Sequence, residues 1–239
     1  MKDDADVAGT GPFRVILLAT DGSEFSAGVE RVGIAMAAQH RAHLFALRLL
    51  LADAGTDAAI VEEQEAALGL EQVGSQCAEM GVQCTPLLKP SDDPSQGILQ
   101  AAREVGAQLI VLGRRGRRGL AKMMVGEATS KVLDKAGCSV LVVPRLCSYW
   151  DNGVLLAVDA LQPEEGDPVA QAAFRLAQAA QLPLTILTVV EEDEEEEQRR
   201  ASNQAVNRLV AMANLQGVEA TGLVQAGEMD PVTLEVARQ

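Results

Sequence analysis

The sequence predicts an α/β protein with a doubly wound, open parallel sheet, present once in full and once as a second copy that lacks its last strands. Near-continuous apolar runs, such as those at 15–19 and 109–112, are typical of parallel strands covered on both faces. Apolar residues at helical spacing lie between these runs, so that strand and helix alternate along the chain. After residue 153 the same pattern begins again, which indicates a duplication.

Each element of the first copy has its own signal. Five strands are predicted from apolar runs: Val15–Ala19, His43–Leu51, Val82–Leu88, Leu109–Leu112 and Val140–Val143. Four helices are predicted from apolar stripes: Phe25, Val29, Val32 and Met36 behind a Ser23 cap; Leu70, Val73, Cys77 and Met80; Ile98, Ala101, Ala102 and Val105 after Pro94; and Val132, Leu133 and Ala136. Because 48% of the residues are hydrophobic and only 3% aromatic, we expect an aliphatic core.

Three landmarks of the first copy return in the same order at a nearly constant offset. They are Asp21, Gly81 and Pro94, matched by Asp159, Gly217 and Pro231. The second copy has no counterpart of the fourth and fifth strands or of the glycine-rich segment between them. We therefore expect a disordered N-terminus at 1–12, a complete domain at 13–146 and a partial second domain at 153–239.

Composition argues against several classes of function. A net charge of −14 repels a phosphate backbone, so nucleic-acid binding is not expected. The N-terminus is acidic, unlike a signal peptide, and no apolar run is long enough to cross a bilayer, so we expect a cytoplasmic protein without membrane contact. The four cysteines form no CxxC pair and are expected to be reduced. His40 and His43 have no metal-ligand spacing and are expected at the surface.

The segment after the fourth strand carries the chemistry. Its glycines, which include Gly113, Gly116 and Gly126, let backbone N–H groups approach a ligand, and the helix that follows offers aligned donors to an anion. It lies at the carboxyl end of the strands, where open α/β sheets bind ligands, although it matches neither GxGxxG nor GxxxxGK[ST]. Its cations either bind a phosphate or form a solvated loop that balances the negative charge of the protein's own acids; they are Arg114, Arg115, Arg117, Arg118 and Lys122.

The glycine spacing, Gly113-x2-Gly116-x9-Gly126, resembles the signature of the universal stress proteins. The first strand and turn, from Leu17 to Ser23, and the last helix and strand, from Lys131 to Pro144, are similar to that family as well. The resemblance implies a five-stranded parallel sheet in the order 3-2-1-4-5, the adenine nucleotide α-hydrolase-like arrangement. It also implies a homodimer formed through the last strand, Val140–Val143, and, in one branch of the family, bound ATP or AMP.

The family's binding residues, carried over to matching positions, predict a nucleotide site. Asp21 is expected beside the nucleoside, and the backbone near Leu49 is expected at the adenine edge. Alternatively, Asp21 closes an Asx-type turn after the first strand. Phosphate is expected in a cradle formed by Gly113, Gly116 and Gly126, and the cation Arg114 lies within the same segment.

One residue departs from the family's ATP-binding pattern. Glu127 stands where a Ser or Thr follows the third glycine, and a carboxylate cannot donate a hydrogen bond to phosphate. At an effective dielectric constant of about 20, a carboxylate about 5 Å from a phosphate charge costs roughly 3 kcal/mol, or about two orders of magnitude in affinity. The cations, or a Mg²⁺ ion that bridges Glu127 and phosphate, would offset this cost. Alternatively, Glu127 is a first-turn acid that the helix dipole stabilises.

Three functions are open at this point. The first is a regulatory stress-response module that binds ATP or AMP, and the second is a module that binds no nucleotide and acts through dimerisation and protein contacts. The acidic run Glu191–Glu197 is a solvated loop that enters a helix, a docking tract for a basic protein partner, or an N-terminal helix segment that the helix dipole favours. An enzyme is disfavoured, because Thr20 to Glu24 is not the serine-glycine phosphate loop of the ATP pyrophosphatases and no catalytic triad is evident.

Overall fold

The chain forms two compact units, residues 1–149 and 150–239. The computed structural model describes residues 12–23, 26–50, 57–114, 126–145, 147, 152–159 and 167–238. The N-terminus that we expect to be disordered lies outside these residues except for Pro12. The predicted domain limits, 13–146 and 153–239, stay predictions.

The first unit is a doubly wound parallel sheet in the strand order β3-β2-β1-β4-β5, which confirms the predicted fold class. Its strands are β1 (Val15–Ala19), β2 (His43–Leu50), β3 (Cys84–Pro90), β4 (Leu109–Gly113) and β5 (Ser139–Val143). Its helices are α1 (Ala27–His40), α2 (Asp57–Glu79), α3 (Pro94–Val105) and α4 (Glu127–Lys135). Because β1 lies between β2 and β4 and under helices, Ile16, Leu17 and Leu18 are fully buried.

Two local predictions for the first unit are wrong. Helix α1 begins at Ala27 rather than behind Ser23, because the N–H and hydroxyl of Ser23 both donate to Asp21 and so complete the turn after β1. Met80 is exposed, because α2 ends one residue earlier and Met80 belongs to the turn that follows.

The two histidines are not surface residues. His40 ends α1 and is fully buried, with its ring edge-to-face on Phe13 at a centroid distance of 5.6 Å. His43 opens β2 and is half-buried; its ring stacks on Phe45, and its Nε2 lies 2.8 Å from the Thr85 hydroxyl. Both rings are withdrawn from the surface, His40 fully and His43 in part, because the turn between α1 and β2 is short and returns the chain directly into the sheet.

The second unit is a three-stranded parallel sheet in the order β6-β7-β8, as expected for an incomplete copy. Its strands are β6 (Val154–Ala157), β7 (Leu184–Val190) and β8 (Ala220–Ala226), and its helices are α5 (Pro168–Ala180), α6 (Glu196–Leu215) and α7 (Met229–Val236). Strand β6 is the counterpart of β1, yet among the described residues it pairs only with β7. The hydrophobic core of this unit contains the fully buried Phe174.

Two further predictions concern the acidic run and the membrane. The run from Glu191 passes through a turn and enters α6 at Glu196, which agrees with a loop that enters a helix for its first part and with an acidic helix N-terminus for Glu196 and Glu197. None of the helices in the described part of the chain combines the length and hydropathy that crossing a bilayer demands.

Candidate functional site

A cleft of about 720 Å³ opens where β1, β2 and β4 end, a volume typical of small-molecule sites. Apolar side chains line part of it: Ala19, Leu47, Leu49, Ile98 and Leu112. The turn after β1 and the first turns of α3 and α4 supply the polar part of the lining. This is the carboxyl edge of the sheet, at the point where the strand order reverses, which is the expected ligand position in an open α/β fold.

Asp21 organises the turn that leaves β1. Its Oδ1 accepts hydrogen bonds from the Ser23 N–H at 3.0 Å, the Ser23 hydroxyl at 2.6 Å and the Ser26 hydroxyl at 2.5 Å. The Ser26 hydroxyl lies 3.2 Å from the Asp21 N–H as well. Asp21 therefore holds a local turn besides lining the cleft, so that its position is fixed independently of any ligand.

A buried cation lies under this turn. Arg48 on β2 is only 7% exposed, and its guanidinium packs against Gly22 so closely that a Cβ there would overlap Nη1. Gly22 also has a φ of +63°, so glycine is required twice, for conformation and for space. Burial raises the pKa of Glu30 above its ordinary value of 4.5, although the Thr20 hydrogen bond at 2.5 Å and the Arg48 charge both lower it.

The two helices that open on the cleft differ at their N-termini. In α3 the carboxylate of Asp93 accepts from the N–H groups of Ser95 and Gln96, at 2.8 and 3.3 Å, so the helix caps itself. The Ser95 hydroxyl, which donates to the same carboxylate at 2.6 Å, is the main cause that lowers the pKa of Asp93, and the two N–H groups and the charge of Lys131 lower it further. In α4 the cap is Gly126, which has no side chain, so in the described part of the chain no side chain caps the first amides of α4.

Glu127, the residue that departs from the family pattern, points to solvent. It is the first residue of α4, its side chain is 83% exposed, and it pairs with Lys131 one turn later at 2.8 Å. This pairing raises the pKa of Lys131. The hydroxyl of the same helical turn, Thr129, is buried and donates to the Gly113 carbonyl at 2.9 Å. Thr129 thereby fastens the start of α4 to the end of β4.

The described lining of the cleft is acidic. Arg48 and Lys131 face five carboxylates there: Asp21, Glu62, Asp92, Asp93 and Glu127. In the described part of the chain, these acids do not gather with histidine or cysteine into a group of three or more that would hold a metal ion.

Most of the binding residues that the sequence predicts lie in or beside the cleft. Asp21, Leu49, Gly113, Gly126 and Glu127 line it. Arg114 contributes its backbone to the same region, because its N–H donates to Val143 at 3.1 Å and its carbonyl accepts from Gly126 at 2.8 Å. Gly116 lies outside the described residues, as do the other four cations of the glycine-rich segment.

Comparison with known proteins identifies the family. The model of the universal stress protein family matches residues 12–144, which is more than half of the chain. The chain belongs to the universal stress protein family. The universal stress protein YxiE of Bacillus subtilis is 31% identical over 147 residues, which are 55% of this chain and 99% of that protein. A universal stress protein of Thermus aquaticus is 32% identical over 138 residues, 55% of this chain and 98% of that protein.

Solved structures resemble the chain over both units. The crystal structure of a universal stress protein from Archaeoglobus fulgidus has a TM-score of 0.69 and 18% identity, and the match covers 94% of this chain and 83% of that one. At this identity the likeness concerns the fold alone. The match in fold therefore extends over both units of this universal stress protein.

Residues that the sequence did not single out also build the site. Arg48 lies inside an apolar strand pattern, and nothing in the periodicity of β2 indicates that its charge is buried. Asp93 directly before Pro94 is a helix-start signal that predicts the cap on α3. Thr129 has no comparable signal, because its role depends on the carbonyl of a strand sixteen residues away in the sequence.

Proposed function

We propose that the first unit binds an adenine nucleotide, ATP or AMP, in the cleft, and that the protein is a cytoplasmic regulatory module of the stress response. The observation that carries the proposal is the glycine cap of α4, which lies beside a partly apolar cleft and, among the described residues, leaves the first amides of the helix without a capping side chain. The self-capped α3 offers no such donors, so phosphate is assigned to α4.

The residues present fit a nucleotide in part. The apolar lining near Leu49 suits a purine, and Asp21 suits the ribose hydroxyls. Gly113 and Gly126 line the cleft at the start of α4, where we place the phosphate. The described lining supplies only two cations, so charge neutralisation of a triphosphate falls to residues 115–122 or to Mg²⁺. AMP needs less of this neutralisation than ATP does.

The exposure of Glu127 lowers the electrostatic cost that the sequence suggests. A side chain that is 83% exposed and paired with Lys131 interacts with phosphate through water rather than through protein. At the dielectric constant of water and about 5 Å, the repulsion is about 0.8 kcal/mol, or about fourfold in affinity. We therefore expect Glu127 to weaken binding without abolishing it.

Isothermal titration calorimetry with ATP, with and without Mg²⁺, tests this proposal. We expect a dissociation constant of about micromolar or weaker without Mg²⁺ for the parent, and tighter binding by about fourfold for Glu127→Ser. If Mg²⁺ bridges Glu127 and phosphate, the gain from Mg²⁺ is smaller in Glu127→Ser than in the parent.

The chain offers a matched control. Glu196 is also a first-turn glutamate, pairs with Arg200 at 2.9 Å and lies in the second unit. Glu196→Ser removes the same charge and the same kind of pair, and it should leave the affinity unchanged. No heat from either the parent or Glu127→Ser, with ATP and Mg²⁺ at saturating concentration, would overturn the nucleotide proposal.

A second candidate is a module that binds no nucleotide and acts as a homodimer. Strand β5 is the edge of the first sheet, and its side chains at Val140, Leu141 and Val142 are only half-buried. Such an edge is usually paired or protected. Mass spectrometry of ligand released from the purified protein separates the two candidates, and incubation with ATP followed by product analysis tests for turnover.

A further inference from the structure

Arg48 is a buried charged side chain that lines the cleft without a partner in the described part of the chain. It lies on β2 and is 7% exposed. Its charge lowers the pKa of Glu30, yet among the described residues no ion pair or hydrogen bond engages its guanidinium. A buried guanidinium without a partner is costly, so a partner is expected from outside the chain.

Two glycines make room for this guanidinium. A Cβ at Gly22, in the turn after β1, would lie 1.6 Å from Nη1 of Arg48, and a Cβ at Gly69, in α2, would lie 3.2 Å from the same atom. We call the space between Gly22 and Gly69 the glycine slot. Because packing in the slot already fixes the planar fork of donors, little conformational entropy is lost when Arg48 meets a ligand.

The glycine slot and the first turn of α4 lie on opposite faces of the sheet. Leu47 and Leu49 belong to the apolar cluster that α3 and α4 cover, and side chains alternate along a strand, so Arg48 faces α2 instead. Two strand spacings, or about 10 Å, also separate β2 from β4. A phosphate at the first turn of α4 is therefore beyond the hydrogen-bond reach of Arg48.

We propose that Arg48 binds a second phosphate of the ligand, a monoester on the 2′ or 3′ oxygen of the ribose. The inference rests on the proposed function for the orientation of the nucleotide, with the ribose at Asp21 and the 5′-phosphate at α4. Gly22, which contacts the guanidinium, directly follows Asp21, so the cation lies at the ribose end of the cleft. ATP and 5′-AMP would leave Arg48 unpaired there, whereas an adenosine bisphosphate would satisfy it by two parallel hydrogen bonds.

The acids at this end of the cleft make the cation necessary for such a ligand. Asp21 and Glu62 line the cleft together with Arg48, and the charge of Arg48 acts on Glu30. These carboxylates would repel a ribose phosphate if no cation lay beside it. Loss of Arg48 should therefore remove any gain from the second phosphate. If Arg48 only balances these acids, the second phosphate gives no gain in the parent either.

Calorimetry of the full chain with matched nucleotides tests the proposal. The probes are 5′-AMP, adenosine 3′,5′-bisphosphate and adenosine 2′,5′-bisphosphate, and the last two show which hydroxyl carries the phosphate. We expect one bisphosphate to bind at least about tenfold more tightly than 5′-AMP, as hydrogen bonds to charged groups allow. Bisphosphates that bind no more tightly than 5′-AMP would refute this inference and leave the proposed function standing, whereas no binding of any probe would refute both.

Two variants assign the gain to its residue. Arg48→Met keeps the apolar stem and removes the charge, so the ratio of bisphosphate to 5′-AMP affinity should fall to about one or below. Lys131→Met is the matched control, because it removes the other cation of the described lining, beside α4. It should weaken both ligands and keep their ratio.

The ratio of affinities decides the outcome. A ratio that survives in Arg48→Met, or that falls equally in Lys131→Met, would overturn the inference. If Arg48→Met does not fold, Arg48→Lys serves instead: it keeps the charge without the planar fork, and it should lower the ratio. The comparison of the three nucleotides in the parent needs no variant.

Discussion

Replacement of a buried histidine should stabilise the first unit. His40 is fully buried at the end of α1, and among the described residues neither of its ring nitrogens has a hydrogen-bond partner. A buried polar group without a partner costs about 1–3 kcal/mol. The edge-to-face contact with Phe13 returns about 0.5–1.5 kcal/mol. We therefore expect His40→Leu, which removes both effects, to raise the free energy of unfolding by about 1 kcal/mol at about pH 8.

The advantage of the variant should grow as the pH falls. Burial lowers the pKa of His40 below its ordinary value of 6.5. Above 6.5 the ring is neutral in both states. Below pH 6.5 the His40 ring is protonated in the unfolded chain, whereas in the folded chain it stays neutral until the pH reaches its lower, folded-state pKa. Over that interval the parent loses up to about 1.4 kcal/mol per pH unit, and His40→Leu does not.

Native-state hydrogen exchange of the β1 amides, Val15–Ala19, measures this stability within the full chain. The chain has only two histidines, so His43→Gln is the matched control. His43 has a partner in Thr85, and its replacement should lower stability at about pH 8 rather than raise it. A His40→Leu variant that is less stable than the parent at about pH 8, or whose difference from it does not change down to about pH 5.5, would refute the reasoning.

Three further predictions follow from particular contacts. Thr129→Val removes the hydroxyl that donates to the Gly113 carbonyl at 2.9 Å, so the free energy of unfolding should fall by about 1–2 kcal/mol. Ser130→Ala, at an exposed neighbour, should change the free energy of unfolding by less than about 0.5 kcal/mol, and equal effects of the two variants would contradict the role of Thr129. If β5 pairs between two chains, light scattering at about 50 μM should give twice the chain mass of 25.2 kDa, and the Val142 amide should exchange slowly. A monomer whose Val142 amide exchanges fast would argue against the dimer. The amides of Val154–Ala157 should exchange before those of Val15–Ala19, because β6 has one described neighbouring strand and β1 has two. Equal protection of the two strands in a monomer would falsify the claim that the second copy is structurally incomplete.

The sequence predicts the fold well because each element is locally consistent with it. Strand β1 has its predicted bounds, since a fully apolar run between polar turns leaves little choice of limits. Strand β3 begins at Cys84 rather than Val82, because the Val82 N–H is taken by the Cys77 carbonyl in the preceding turn. That strand also contains Pro86, which it tolerates because it lies at the edge of the sheet. Such displacements depend on contacts between elements, which periodicity does not encode.

The candidate site is predictable where glycine and the strand order determine it. Gly113 and Gly126 had to lie at the carboxyl edge once β4 and α4 were assigned, and they line the cleft. The orientation of Glu127 toward solvent was not predictable, because it depends on Lys131 one turn further along the helix. The burial of His40 was not predictable either, since a histidine at the end of a helix is usually exposed to solvent.

The duplication separates what the fold requires from what the cleft requires. In both units the residue after the first strand donates its N–H to the neighbouring strand: Thr20 to Leu47 at 3.0 Å, and Val158 to Leu187 at 2.9 Å. The next residue of that neighbouring strand is Arg48 in the first unit and Thr188 in the second. Thr188 is buried too, and its hydroxyl simply donates to the Val158 carbonyl at 2.9 Å. A neutral residue therefore satisfies the fold at this position. A buried guanidinium is expensive to desolvate, so its presence beside Asp21 and Glu30 in the first unit is best explained by the cleft that it lines.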